Sequence, residues 1–202
     1  MKTQLFFILV FSLMLSACSI PFKSDLPKAQ VYRLSPFIDV NNVQHSAQPI
    51  HLYIPSVKMT PGLDSNKIVL VVNPQKQSHI AESQWPDDLS VYLHSIIVDS
   101  FSASHAFASV SHRLLSKDQS YKLLINVSSF EVELPQSSVE KAIARVVMNV
   151  TLVDSKKQQL IWSKRMSASH IAKEMRTSEL IKALNHAFGD TLNKLIQMVV
   201  GK

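Results

Sequence analysis

The sequence predicts a single α+β domain: a mixed, mostly antiparallel sheet of four to five strands with two amphipathic helices on one face. Three observations lead there. Alternating apolar and polar residues, the period of a half-buried strand, recur over residues 50–54, 121–132, 142–153 and 160–166. Two other segments, 89–101 and 180–195, carry their apolar residues at helical spacing instead. The chain has 202 residues, 46% apolar and 18% charged, which suits one globular domain.

Taken in order, Ala29–Leu34 reads as a first strand ended by Ser35-Pro36, and residues 37–48 are polar and loop-like. In 50–54, Ile50, Leu52 and Ile54 share a face. Residues 68–72 form a continuous aliphatic run suited to a buried strand, closed by Asn73-Pro74. The turn chemistry of Thr60-Pro61-Gly62 makes 55–66 a loop, and 74–84 reads as a second. These loops carry Met59, Leu63 and Ile80, with Trp85 at the end of the second, as candidate partner contacts; packing beneath the loops as satellite core fits the pattern equally well. Trp85 is expected at the helix start. The first helix opens at Trp85-Pro86-Asp87-Asp88, with proline in the first helical position and two acids suited to the dipole. Leu89, Leu93, Ile96, Ile97, Ser100 and Phe101 then define its buried face. A short strand at 107–110 precedes three long ones. In the first, Tyr121, Leu123, Ile125 and Val127 share one face, with Leu124, Phe130 and Val132 opposite. In the second, Ala144, Val146, Met148, Val150 and Leu152 alternate with Arg145, Asn149 and Thr151. After the polar turn 154–158, Leu160, Trp162 and Met166 share one side of the third, completing an antiparallel meander. The last helix starts near Thr177-Ser178-Glu179 and buries Leu180, Leu184, Phe188, Leu192 and Leu195, flanked by Ile181 and Ile196.

The amino terminus sets the compartment. Lys2 precedes an uncharged apolar run, Leu5–Leu15, too short for a spanning helix of ~20 residues but suited to a signal peptide. Leu15-Ser16-Ala17-Cys18 resembles the lipobox of bacterial lipoproteins. The organisation expected is a signal peptide over 1–17, a lipidated Cys18 with a tether over 18–29, and a periplasmic domain over 30–202. The resemblance implies a covalent diacylglyceryl group and an N-acyl chain such as palmitate on Cys18. In the corresponding sorting rule, Ser19 implies release to the outer membrane, where aspartate would retain the protein at the inner one. Cys18 is the only cysteine, so the domain has no disulfide and no thiolate metal site.

No constellation of catalytic residues emerges. The eight histidines include no His-Glu-x-x-His spacing, and no Gly-x-Ser-x-Gly elbow occurs. Three glycines, Gly62, Gly189 and Gly201, leave no phosphate-cradling loop. Asp87-Asp88 fits a helix start, and Glu131 and Glu133, two apart on one strand face, fit a solvated edge. The expectation is therefore no enzyme, no cofactor and no metal. The net charge of +6 is scattered, without a nucleic-acid-binding motif, and suits anionic headgroups or an acidic partner.

Several segments taken together resemble the auxiliary lipoproteins of ABC-type, MCE-linked transport systems, including the lipoprotein of the paraquat-inducible system. They are the Cys18 lipobox, Val31-Tyr32-Arg33-Leu34, Ile50-His51-Leu52-Tyr53-Ile54-Pro55, Pro61-Gly62-Leu63-Asp64, Ile68-Val69-Leu70 and Trp85-Pro86-Asp87-Asp88-Leu89. The resemblance implies an outer-membrane lipoprotein that docks an MCE-domain protein while lipid crosses the periplasm. Assembly as a homo-oligomer is compatible with this. The alternative is an envelope assembly or regulatory lipoprotein, such as a cell-wall synthase activator or an outer-membrane assembly helper. A carrier with its own lipid pocket is a third reading.

Overall fold

A computed structural model describes residues 28–40, 50–113, 121–137 and 140–201. The signal peptide, Cys18, Ser19 and most of the tether lie outside the described residues, as do 41–49 of the polar stretch.

The sheet is organised around two long strands, β7 (Tyr121–Glu133) and β8 (Ile143–Asp154), paired antiparallel along their whole length. In β8 the expected alternation holds: Ala144, Val146, Met148, Val150 and Leu152 are fully buried. In β7 it breaks once. Leu123, Ile125 and Val127 are buried, but so are Phe130 and Val132, which the alternation assigns to the other face. The cause is a bulge: Val127 pairs with Met148 and Ser129 with Val147, leaving Ser128 unpaired. One extra residue reverses the parity of everything after it. A second bulge acts in β9 (Gln159–Ile171), where Trp162 pairs with Leu152 but Leu160 with Val153. Leu160 is thereby turned away from Trp162 and Met166 and is exposed, against the expectation that all three share a side.

The other edge of β7 is tiled by three parallel strands in turn. β2 (His51–Tyr53) meets it at Tyr121, β3 (Lys58–Met59) at Val127, and β4 (Lys67–Asn73) at Val132. β6 (Ser109–Ser111) extends the sheet beyond β2, while β5 (Lys76–Gln84) and then β1 (Gln30–Val31) extend it beyond β4. The sheet thus has nine strands, not four or five. Its long ladders are antiparallel and its short pairings to β7, β6 and β1 are parallel. β1, two residues long, falls within the segment expected as a first strand; the strands not expected are β3, also two residues long, and β5, which occupies the stretch expected as a loop because its outlying ribbon buries little apolar surface.

Both helices lie on one face, as expected. α1 (Leu89–Ala103) buries Leu89, Leu93, Ile97, Ser100 and Phe101. Pro86 stands outside it. The amide of Ser90 is capped from a distance, by Asp64 Oδ1 at 3.0 Å, while Asp88 makes no side-chain cap. α2 (Thr177–Val200) has Arg176 at its cap position and Glu179 in its first turn, and its whole expected stripe is buried. An aromatic chain links the layers: Tyr92 of α1 meets Trp85, Trp85 meets Phe130 at 6.0 Å, and Phe130 meets Phe188 of α2 edge-on at 5.6 Å.

Candidate docking surfaces

The described residues hold no group of three or more His, Cys, Asp or Glu side chains placed for a metal ion, and three histidines are engaged locally. His94 Nε2 lies 3.1 Å from the Ile54 carbonyl, His51 Nδ1 2.9 Å from Ser109 Oγ, and His170 Nε2 2.8 Å from Asp190 Oδ2. No helix among the described residues is long and apolar enough to cross a membrane. Surfaces remain.

Of the apolar residues expected on loops, Leu63 and Trp85 are buried, and Met59 and Ile80 are half-buried in strands packed against the core. They are satellite core, not exposed anchors. Exposed apolar side chains on the sheet include Leu124, Leu160, Ile161 and Ile171, while others, among them Phe37, Val91 and Met175, lie off it; Ile171 is on the helix-free face. Near Ile171 that face holds an open cleft of about 620 Å³ walled by Val71, Leu134, Pro135 and Ile143.

Beside this cleft, Glu133 and Arg145 form a bidentate pair, with Arg145 Nη2 2.9 Å from Glu133 Oε2. The guanidinium bond holds the Glu133 carboxyl below the usual carboxylate range. Glu131, directly across from Arg145, goes the other way: burial raises its pKa, against a lowering hydrogen bond from Ser129. The two carboxyls share one cation, and Glu133 holds it. The spacing read a solvated edge; β7 instead lies inside the sheet, with Glu133 in a partly exposed cross-strand ion pair and Glu131 half-buried beside it.

Where the tether enters, the chain forms a strap across both helices. The Leu34 amide donates to Tyr92 Oη of α1 at 2.7 Å. Asn185 accepts from the Ser35 amide at 2.8 Å and donates to the Ser35 carbonyl at 2.9 Å. Two turns further along α2, Asn193 accepts from the Asp39 amide and donates to the Phe37 carbonyl. Between them Gly189 lets the strap approach; a Cβ there would sit 3.4 Å from the Phe37 carbonyl oxygen. Asn185, Gly189 and Asn193 are four residues apart, so they stack on one helix face. Periodicity analysis that seeks apolar stripes passes over such a polar one.

On the opposite border of the domain, β9 pairs only with β8 among the described strands. A groove runs along its free edge beside the last turns of α2, walled by Trp162, Met166 and Met198 and rimmed by Lys164, Arg165 and Lys194.

Comparison with known proteins follows the fold. A crystal structure of a Xanthomonas campestris protein superimposes with a TM-score of 0.77 at 19% identity, covering 85% of this chain and 95% of that one. A second, of an uncharacterised protein, gives 0.63 at 15% identity, covering 77% and 96%. These share the fold. No curated protein matches in sequence. The family model described as the ABC-type transport auxiliary lipoprotein component matches residues 32–195, a span running from the strap to the final turns of α2, and the chain belongs to that family.

Proposed function

We propose that this lipoprotein is the outer-membrane-anchored, periplasm-facing subunit of an MCE- and ABC-type intermembrane lipid transport system, docking an MCE-domain partner without catalysis of its own. The family match over residues 32–195 carries the reading. Diacylglyceryl and N-acyl chains on Cys18 would supply residence, since each buried methylene contributes about 0.8 kcal/mol and two or three chains hold where one is marginal. Ser19 supports the outer membrane as the address. The tether of residues 19–29 reaches at most about 35–40 Å when extended, so the domain stays near the anchoring leaflet. With no Gly-rich phosphate loop in the sequence, energy would come from a separate ATPase. Self-association into a homo-oligomer is compatible with the role.

The test is a crosslinked pull-down of the full-length lipoprotein from intact cells, read by mass spectrometry beside a Cys18→Ala control. An MCE-domain protein captured by the wild type and lost or weakened in the control is the expected result. A cell-wall synthase or a β-barrel protein captured in its place overturns the reading in favour of envelope assembly.

A further inference from the structure

We propose that the free edge of β9 is a docking site for an acidic, extended segment of a partner protein, which adds to the sheet as a further strand. The inference rests on reading this domain as a docking subunit, and concerns how it docks.

Three observations converge on one edge. First, β9 is 13 residues long and hydrogen-bonded on one side only among the described strands. A row of backbone donors and acceptors is thus left to water or to a partner's main chain. Second, its middle is cationic: Lys164, Arg165 and, from α2, Lys194 are exposed, and none has a carboxylate partner among the described residues. Third, Trp162 and Met166 lie on the helix side of β9, flanking Lys164, and with Met198 they line a groove of about 800 Å³ along that edge.

Charge decides among occupants. Pairing with a second copy, antiparallel and in full register, would centre on Arg165 and set it against its own equivalent. Like charges directly opposite in a sheet are destabilising, so the cations repel a copy of the chain and attract an acid. A phospholipid headgroup would satisfy the cations but not the row of main-chain groups. An acidic strand satisfies both.

The alternation of β9 also specifies what that strand carries. Lys164 and Arg165 point to opposite faces, so two consecutive acids meet them both. Residues opposite Trp162 and Met166 face the groove and are apolar. Added antiparallel, the more stable pairing, the partner segment therefore reads apolar, acid, acid, any residue, apolar.

A fluorescein-labelled 11-residue peptide with Val-Glu-Asp-Thr-Val at its centre tests this by fluorescence anisotropy against the full-length lipoprotein in neutral detergent. Binding should weaken about tenfold or more in a Lys164→Glu/Arg165→Glu variant. It should weaken comparably when alternate peptide amides are N-methylated, since methylation removes main-chain donors and leaves the charge. An N-methylated peptide that binds as well as its parent overturns strand addition. So does an absence of peptide binding, with phosphatidylglycerol vesicles captured in a Lys164- and Arg165-dependent way. A fall from oligomer to monomer in the charge-reversed variant, by sedimentation velocity, assigns the edge to self-association and also overturns it. Pull-down with the same variant separates the two readings. An MCE-domain protein retained at wild-type level sinks the edge and leaves the proposed function standing. Specific peptide binding without any MCE-domain partner in cells does the reverse.

Discussion

Asn185, Gly189 and Asn193 act as a single device on the chain that follows β1. Replacing either asparagine by alanine removes two hydrogen bonds to the strap backbone. Because the strap residues are partly solvated, each loss should cost about 1 kcal/mol and open trypsin cleavage at Arg33. Gly189 separates two effects. Alanine gains up to about 1 kcal/mol of helix propensity, and its Cβ meets Phe37 at van der Waals distance, so Gly189→Ala should leave Tm unchanged or higher. Gly189→Leu should displace the strap, lowering Tm and exposing the same cleavage site. The carboxyls across the sheet give opposed pH signatures. Glu131 has a raised folded pKa, so its contribution is present below its unfolded pKa and is lost as pH rises through the folded one. Glu131→Gln should therefore raise Tm at pH 7, the gain vanishing below about pH 4. Glu133 is lowered, so its contribution is present above the unfolded pKa and lost as pH falls through the folded one. Glu133→Gln should lower stability at pH 7 by under about 1 kcal/mol, the pair with Arg145 being about a third exposed, and should be neutral in acid.

Bulges decide which side chains the long strands bury. Ser128 is the inserted residue of β7, its hydroxyl 3.4 Å from the Val147 carbonyl. Deleting it would restore strict alternation and leave Phe130 and Val132 in register with Leu123, Ile125 and Val127, since Ser129 already pairs with the β8 residue next to the partner of Val127. Both side chains keep their place in the core, so the deletion variant should stay folded, its stability by urea denaturation changed by no more than about 2 kcal/mol; loss of the folded state would show that the bulge itself is needed. Ser128→Ala keeps the register and should cost no more than about 1 kcal/mol. This is also where legibility in the sequence stops. The strand β8 and the stripe of α2 were readable residue by residue, because nothing interrupts their period. The two bulges were not, since Ser128 and Ile161 differ from their neighbours only in what lies across the ladder. The start of α1 was misread for a related reason: its cap, Asp64, is remote in sequence from the amide it serves.

Across the whole molecule, the sheet divides into a continuous meander, β7 to β9, and short strands laid on its border. Hydrogen exchange should follow that division. Amides of β7 and β8, paired over their full length, should be slowest, and those of β1 and β3, two residues each, should exchange orders of magnitude sooner. The β9 edge was not legible in the sequence, since being an edge depends on which strand lies beside it, a property of topology and not of residues 159–171. The strap has a further consequence, for biosynthesis. A chain is made from its amino end, so Ser35 to Asp39 emerge long before Asn185 and Asn193, the groups that seat them. The segment from Ser35 to Asp39 therefore settles only after the final helix has formed. A nascent chain cut short before α2 would leave the strap unfastened, a loose end that a protease could read as the mark of an unfinished protein.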